Sequence, residues 1–104
     1  MKTLSLSKYR PQEVLPYHHI VWIEGQINYC VLHLKKGNPI VLPKTLKTLE
    51  EILADNNFVR IHKKHIVNRI FISSVSPKSV VLTDGTSLVL ARRRKSVLFN
   101  YLLS

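Results

Sequence analysis

Apolar residues recur along this chain in short runs broken by turn-forming residues, and the spacing inside each run predicts an element. His19 to Ile23 is a compact β-rich run that ends at Glu24-Gly25. From Asn28 to Lys36 the pattern alternates, with Tyr29, Val31 and His33 on one face and Cys30, Leu32 and Leu34 on the other. Two strands joined by an exposed Gly25 to Asn28 loop follow. Gly37-Asn38 signals a turn, Ile40 to Leu42 returns as a third strand, and Pro43 ends it. The period then changes. Leu46, Leu49, Ile52 and Leu53 make one apolar stripe, predicting a helix of about three turns over Thr45 to Asp55, with Thr45 as its N-cap and Asn56-Asn57 as its end. This helix reads as scaffold over a sheet, and its Lys44 and Lys47 as a solvated face.

Phe58 to Ile72 is the organising stretch: an apolar skeleton interrupted by His62-Lys63-Lys64-His65, a core element carrying a cationic exposed turn. Further on, Ser79 to Thr83 and Ser87 to Leu90 flank Asp84-Gly85, a strong hairpin signal. Val97, Leu98, Tyr101 and Leu102 have helical spacing and predict a short closing helix over Arg92 to Ser104. Met1 to Pro16 has no sustained period and reads as a leader or short edge strand. The expected organisation is a leader or linker over residues 1–17 and one domain over 18–104, mainly β with helices, an α+β class.

Charge sharpens the picture. Sixteen Lys and Arg against six Asp and Glu leave a net +10 on 104 residues, a balance that points to nucleic acid, an acidic partner or an anionic surface. Eight of the sixteen fall in Arg60 to Arg69 and Arg92 to Lys95, and no carboxylate lies between Asp55 and Asp84. The charges of Arg60, Lys63, Lys64, Arg69 and Lys78 are therefore expected to be neutralised from outside. Arg92 to Lys95 place four cations in the first turn of the closing helix, where the macrodipole disfavours each by roughly 0.3 to 1 kcal/mol. An anion beside the free N–H groups of that turn would reverse the penalty.

Other chemistries fit poorly. The carboxylates Glu13, Glu24, Glu50, Glu51, Asp55 and Asp84 are scattered, so a paired acid–base site is not expected. His62 and His65 lack the partners and spacing of a zinc site. Gly25, Gly37 and Gly85 are isolated and form no phosphate loop. The expectation is a protein that is not an enzyme and needs no cofactor or metal. Cys30 has no second cysteine to pair with, no run nears the roughly 18 apolar residues of a membrane span, and Met1 to Pro16 lacks the apolar centre of a signal peptide. A cytoplasmic protein without membrane contact is expected. Trp22, Phe58, Phe71 and Phe99 sit in apolar runs and read as core, leaving Tyr9, Tyr17 and Tyr29 as exposed rings. Few stacking platforms tilt the reading from RNA towards duplex DNA. A structural RNA-binding basic protein is the alternative, with docking of an acidic protein partner a third reading.

Phe58-Val59-Arg60-Ile61-His62, followed after two residues by His65-Ile66-Val67-Asn68, resembles the central signature of LytTR-type DNA-binding domains, output modules of bacterial transcriptional regulators. The resemblance runs from about Ile20 to Leu102 through Ile23-Glu24-Gly25 with Asn28-Tyr29, Thr45 to Glu50, Asp84-Gly85 and Ala91 to Arg94. It implies small antiparallel sheets with one prominent helix and a short C-terminal helix, in which loops enter successive major grooves of duplex DNA. Carried over to this chain, it implies base contacts from Asn28, Tyr29, Lys63 and Arg93, with Cys30 near the first pair. Phosphate contacts would come from Lys64, Arg69, Arg92, Arg94 and Lys95. His62 and Asn68 would hold the loop in place. Two departures are visible: Ala91 where the family often has Ser, and Lys64-His65 where a small polar residue followed by an aromatic is common. The family also implies paired sites taken by two copies, although no dimerisation segment is evident and a monomer in solution is expected. Family members usually follow a receiver domain, for which the residues before His18 leave no room. A lone output domain or a fragment of a longer regulator is expected.

Overall fold

Why the chain folds as two thin layers on either side of one sheet follows from its alternation. The computed structural model describes residues 2–5, 14–54 and 57–103. Its centre is a five-stranded antiparallel sheet in the order β5-β4-β3-β7-β6, built from β3 (Ile20–Gly25), β4 (Cys30–Leu34), β5 (Ile40–Leu42), β6 (Phe58–His62) and β7 (His65–Asn68). The register pairs Ile23 with Leu32 and with Ile66, and Trp22 with His33 and with Val67. Successive side chains of a strand point to opposite faces, so these two rows supply two separate cores.

On one face Ile20, Ile23, Cys30, Leu32 and Ile66 pack against helix α1 (Leu46–Ile52). Leu4 and Leu15 join this core from a two-stranded ladder, β1 (Thr3–Ser5) with β2 (Val14–Pro16). On the other face Val21, Val59, Ile61 and Val67 meet Val80, Leu82 and Leu88. These come from a three-stranded sheet of β8 (Ile72–Val75), β9 (Ser79–Leu82) and β10 (Ser87–Val89). Leu98 of the closing helix α2 (Lys95–Leu103) completes this second core and is fully buried. The strands, the Asp84-Gly85 hairpin and the mainly β class stand as expected, with Gly85 at φ +90° in the left-handed region.

Helix α1 is shorter than expected, at seven residues where about three turns were read. Thr45 caps it as expected, its Oγ1 accepting the Thr48 N–H at 3.2 Å. At ~100° per residue Leu46, Leu49 and Leu53 cluster within roughly 60° while Ile52 lies outside that arc. Ile52 is accordingly 41 % exposed, and the chain leaves the helix at Leu53, whose backbone reaches φ −93° and ψ 4° while its side chain stays buried. Of the expected end, Asp55 and Asn56 lie outside the described residues, as does Tyr9, while Asn57 stands at φ 69°, in the left-handed region. The closing helix also begins later than expected, because Arg92–Arg94 form a single 3-10 turn ahead of it. Of the four cations only Lys95 occupies the first α-helical turn. Tyr17, expected as an exposed ring, is half-buried with its edge against Phe58 at 5.8 Å.

Candidate nucleic-acid interface

Three connections meet at one end of the central sheet, and backbone hydrogen bonds hold them together. They are the β3–β4 loop, the Lys63-Lys64 turn between β6 and β7, and the Ala91–Arg94 turn before α2. Gly25 N–H donates to Lys64 O at 2.8 Å, joining the first to the second, and Ala91 N–H donates to Ile61 O at 2.8 Å, joining the third. Gly25 makes a close approach. A Cβ there would stand 3.0 Å from Leu46 Cδ2 and 3.1 Å from Leu46 Cβ, so a side chain would make Leu46 give by a few tenths of an ångström at the start of α1.

Concave surface runs between these connections. A groove of about 270 Å³ is lined by His62, Lys63, Ala91, Arg93 and Arg94. A larger one of about 530 Å³ is lined by Gly25, Gln26, Ile27, Thr45, Leu46, Lys47, Arg60, Lys63 and Lys64. Lys63 borders both. The fold therefore brings residues 30 positions apart, Lys63 and Arg93, to one cationic hollow.

Arg60 shapes the central turn. Its guanidinium donates to Lys63 O at 2.7 Å and to His62 O at 3.3 Å, and pairs with Glu50 Oε1 at 3.0 Å. The expectation that the Arg60 charge is neutralised only from outside is thus overturned: the carboxylate arrives from α1, ten residues back. Glu50 also faces Arg94 at 3.7 Å through its other oxygen. His62 closes the turn from the other side, its Nδ1 accepting the Lys64 N–H at 3.1 Å, so this histidine holds the loop as the resemblance implied. Burial, then the charges of Lys63, Lys64 and Arg60, hold its pKa below the ordinary 6.5, favouring the neutral ring that this bond requires. His65 stacks on it at 4.9 Å and is held low by burial first and by His62 second.

The family model of the LytTr DNA-binding domain matches residues 12–103. The chain belongs to the LytTR family. A solved structure described as the LytTr DNA-binding domain of a methyl-accepting/DNA response regulator from Bacillus cereus superposes with a TM-score of 0.81 at 16 % identity, covering 98 % of this chain and 97 % of that one. No curated protein matches the chain. LytTR domains are DNA-binding domains in transcription regulation and form a family of binding modules, not of enzymes. Among the described residues no helix is long and apolar enough to cross a membrane.

Within this LytTR domain the residues singled out from sequence divide into groups. Lys63, Lys64 and Arg93 line the joined grooves, and Arg92 and Lys95 lie on the same turn and the helix start beside them. Asn28 and Tyr29 are exposed on the β3–β4 loop, but Gln26 and Ile27 are that loop's groove-lining residues. Ile27, 90 % exposed at a loop tip, was the missed signal, since an apolar side chain flanked by polar neighbours in a turn has no core to serve. Lys47, read as solvated, also borders the larger groove. Cys30 is fully buried, and burial raises its thiol pKa, so it faces the core and not the loop. Arg69 follows β7 at the end opposite the Lys63-Lys64 turn, with its guanidinium over Tyr101 at 5.3 Å and a bond to Leu102 O at 3.4 Å. Asn68, at that same end, holds Tyr17 and Ile20 instead of the cationic turn.

Proposed function

We propose that this LytTR domain reads duplex DNA in a sequence-specific way, as the output domain of a bacterial regulator, by setting loops into the major groove. The observation that carries the reading is the pair of grooves joined at Lys63, which unites three rigidly tied connections in one concave, carboxylate-poor surface. Helices offer no comparable surface: α1 has seven residues with its apolar side in the core, and α2 buries Leu98. Arg93 and Lys63 are assigned to base edges, where a guanidinium or ammonium can meet guanine O6 and N7. Asn28 and Tyr29 are assigned to a neighbouring contact from the β3–β4 loop. Lys64, Arg92 and Lys95 are assigned to phosphate. Arg94 and Arg69, each with a protein partner, serve mainly to hold the fold, and any phosphate contact from them is secondary.

Selection from a random duplex library at physiological salt tests this. A short motif should be enriched and bound on the order of 10³-fold above a scrambled duplex; a motif repeated at fixed spacing would place two copies on one operator. Arg93→Ala should then cost ~1 to 3 kcal/mol on the enriched duplex and relax one position, whereas Lys95→Ala should weaken all duplexes alike and lower the salt slope by about 1. No enriched motif, or identical behaviour of the two variants on specific and random duplex, would refute base reading. Structured RNA competing as well as any DNA would favour a binder of charge and shape.

A further inference from the structure

The Arg92–Arg94 turn divides its cations between two hollows. Arg93 and Arg94 face His62 and Lys63, as described. Arg92, with Lys95, lines a separate groove of about 380 Å³ together with Pro77, Lys78 and Leu90. No carboxylate borders it. Among the described residues Lys78, Arg92 and Lys95 have no ion-pair partner, and the only carboxylate of the β9–β10 hairpin, Asp84, lies at the end of β9 remote from Lys78.

Lys78 is held there by its backbone. The β8–β9 turn is closed by Ser76 N–H donating to Ser79 O at 2.9 Å and Ser79 N–H donating to Ser76 Oγ at 3.2 Å, with Pro77 inside it. Leu90 N–H donates to Lys78 O at 3.0 Å, which ties this turn to the residues leading into Ala91 and Arg92. Three cations kept close without an internal anion repel one another, and a polyanion relieves that repulsion.

We propose that this second groove receives the other sugar-phosphate strand of the same duplex, so that the Arg92–Arg94 turn stands between the two walls of one major groove and Lys78 is a DNA contact. The inference rests on the major-groove reading above. A B-form major groove is about 12 Å wide with a phosphate strand along each side, and a turn whose cations border two separate hollows suits that profile. One strand then lies along Lys64, the other along Lys78, Arg92 and Lys95.

The test uses the full chain, the duplex enriched by selection, and copies of that duplex with single phosphates replaced by neutral methylphosphonates. Lys78→Ala should lower the salt slope by about 1, weaken specific and random duplex by the same factor, and leave thermal unfolding unchanged, while Lys78→Arg restores the slope. Neutral phosphates that no longer matter in Lys78→Ala should lie on the strand opposite those that no longer matter in Lys64→Ala. An unchanged slope in Lys78→Ala, or both sets on one strand, overturns the inference while the specific complex of the parent chain leaves the proposed function standing. A parent chain that prefers no duplex overturns both.

Discussion

Among the described residues Asn68 is the one polar residue buried in the core, at 2 % exposure, and replacing it should cost more than any surface charge. Its Nδ2 donates to Ile20 O at 2.9 Å and to Tyr17 O at 3.4 Å, and its Oδ1 accepts the Ile70 N–H at 3.2 Å. One side chain thus fixes the entry to β3 and the turn that leaves β7. Asn68→Ala removes two well-formed bonds worth ~1 kcal/mol each and strands at least one buried backbone group, at ~1 kcal/mol more when taken at the low end, for a total of about 3 kcal/mol. In a domain of this size that corresponds to a Tm lower by roughly 12 to 24 °C. Urea unfolding followed by the fluorescence of Trp22, the single tryptophan, stacked on His33 at 4.1 Å, would measure it. Asn68→Asp gives a second, signed result. The new carboxylate still accepts from Ile70 but faces the Ile20 carbonyl, so burial and that oxygen raise its folded pKa above the ordinary ~3.9. A raised folded pKa means stability that is present below the unfolded value and lost as pH rises, so the gap between Asn68→Asp and the parent should widen from acid to neutral pH. A cost under ~1 kcal/mol for Asn68→Ala, or a pH-independent gap for Asn68→Asp, would refute this account.

Glu50→Gln removes the carboxylate that faces both Arg60 and Arg94. With Glu50 partly exposed, unfolding should shift by at most ~1 kcal/mol, while binding to every duplex tightens and the salt slope steepens as Arg94 is released; a slope that stays flat or falls would contradict the pairing. His62 and His65 have folded pKa values below 6.5, so the unfolded chain takes up protons first. Stability should fall as pH drops through about 6.5 and level off once the folded values are passed. Asp84, held below 3.8 mainly by the Thr86 backbone N–H, acts further down the scale. Thermal unfolding against pH checks this, and a His62→Gln/His65→Gln variant should flatten the step; a parent profile that rises on acidification would overturn it.

Much of the sheet was legible because alternation is a local property. Cys30 and Leu32 fall on the buried face and Val31 and His33 on the other, as the period of two requires. The end of α1 was not legible, since apolar content alone does not separate Leu53, which turns back into the core, from Ile52, which does not. Sequence placed Lys63 and Arg93 on exposed turns but could not show that one hollow holds both, because that depends on Ala91 pairing with Ile61 across the fold. The Arg60–Glu50 pair was hidden for the same reason: a stretch empty of carboxylates can still face one brought by another element. The groove residues Gln26 and Ile27 went unassigned because a loop's residues differ in orientation, and loops have no period from which to read it.

The hydrogen bonds from Gly25 to Lys64 and from Ala91 to Ile61 use main-chain atoms only. The path of all three connections is therefore set by these bonds, and in the central turn also by Arg60 and His62 at its base, not by the side chains at their tips. Lys63, Arg93, Ile27 and Asn28 can be exchanged without moving the frame that presents them, much as type is reset in a fixed tray. Under the proposed reading of duplex DNA this separates what is recognised from what is folded: a new operator preference would require a few substitutions at the tips, and the stability of the domain would not have to change with it.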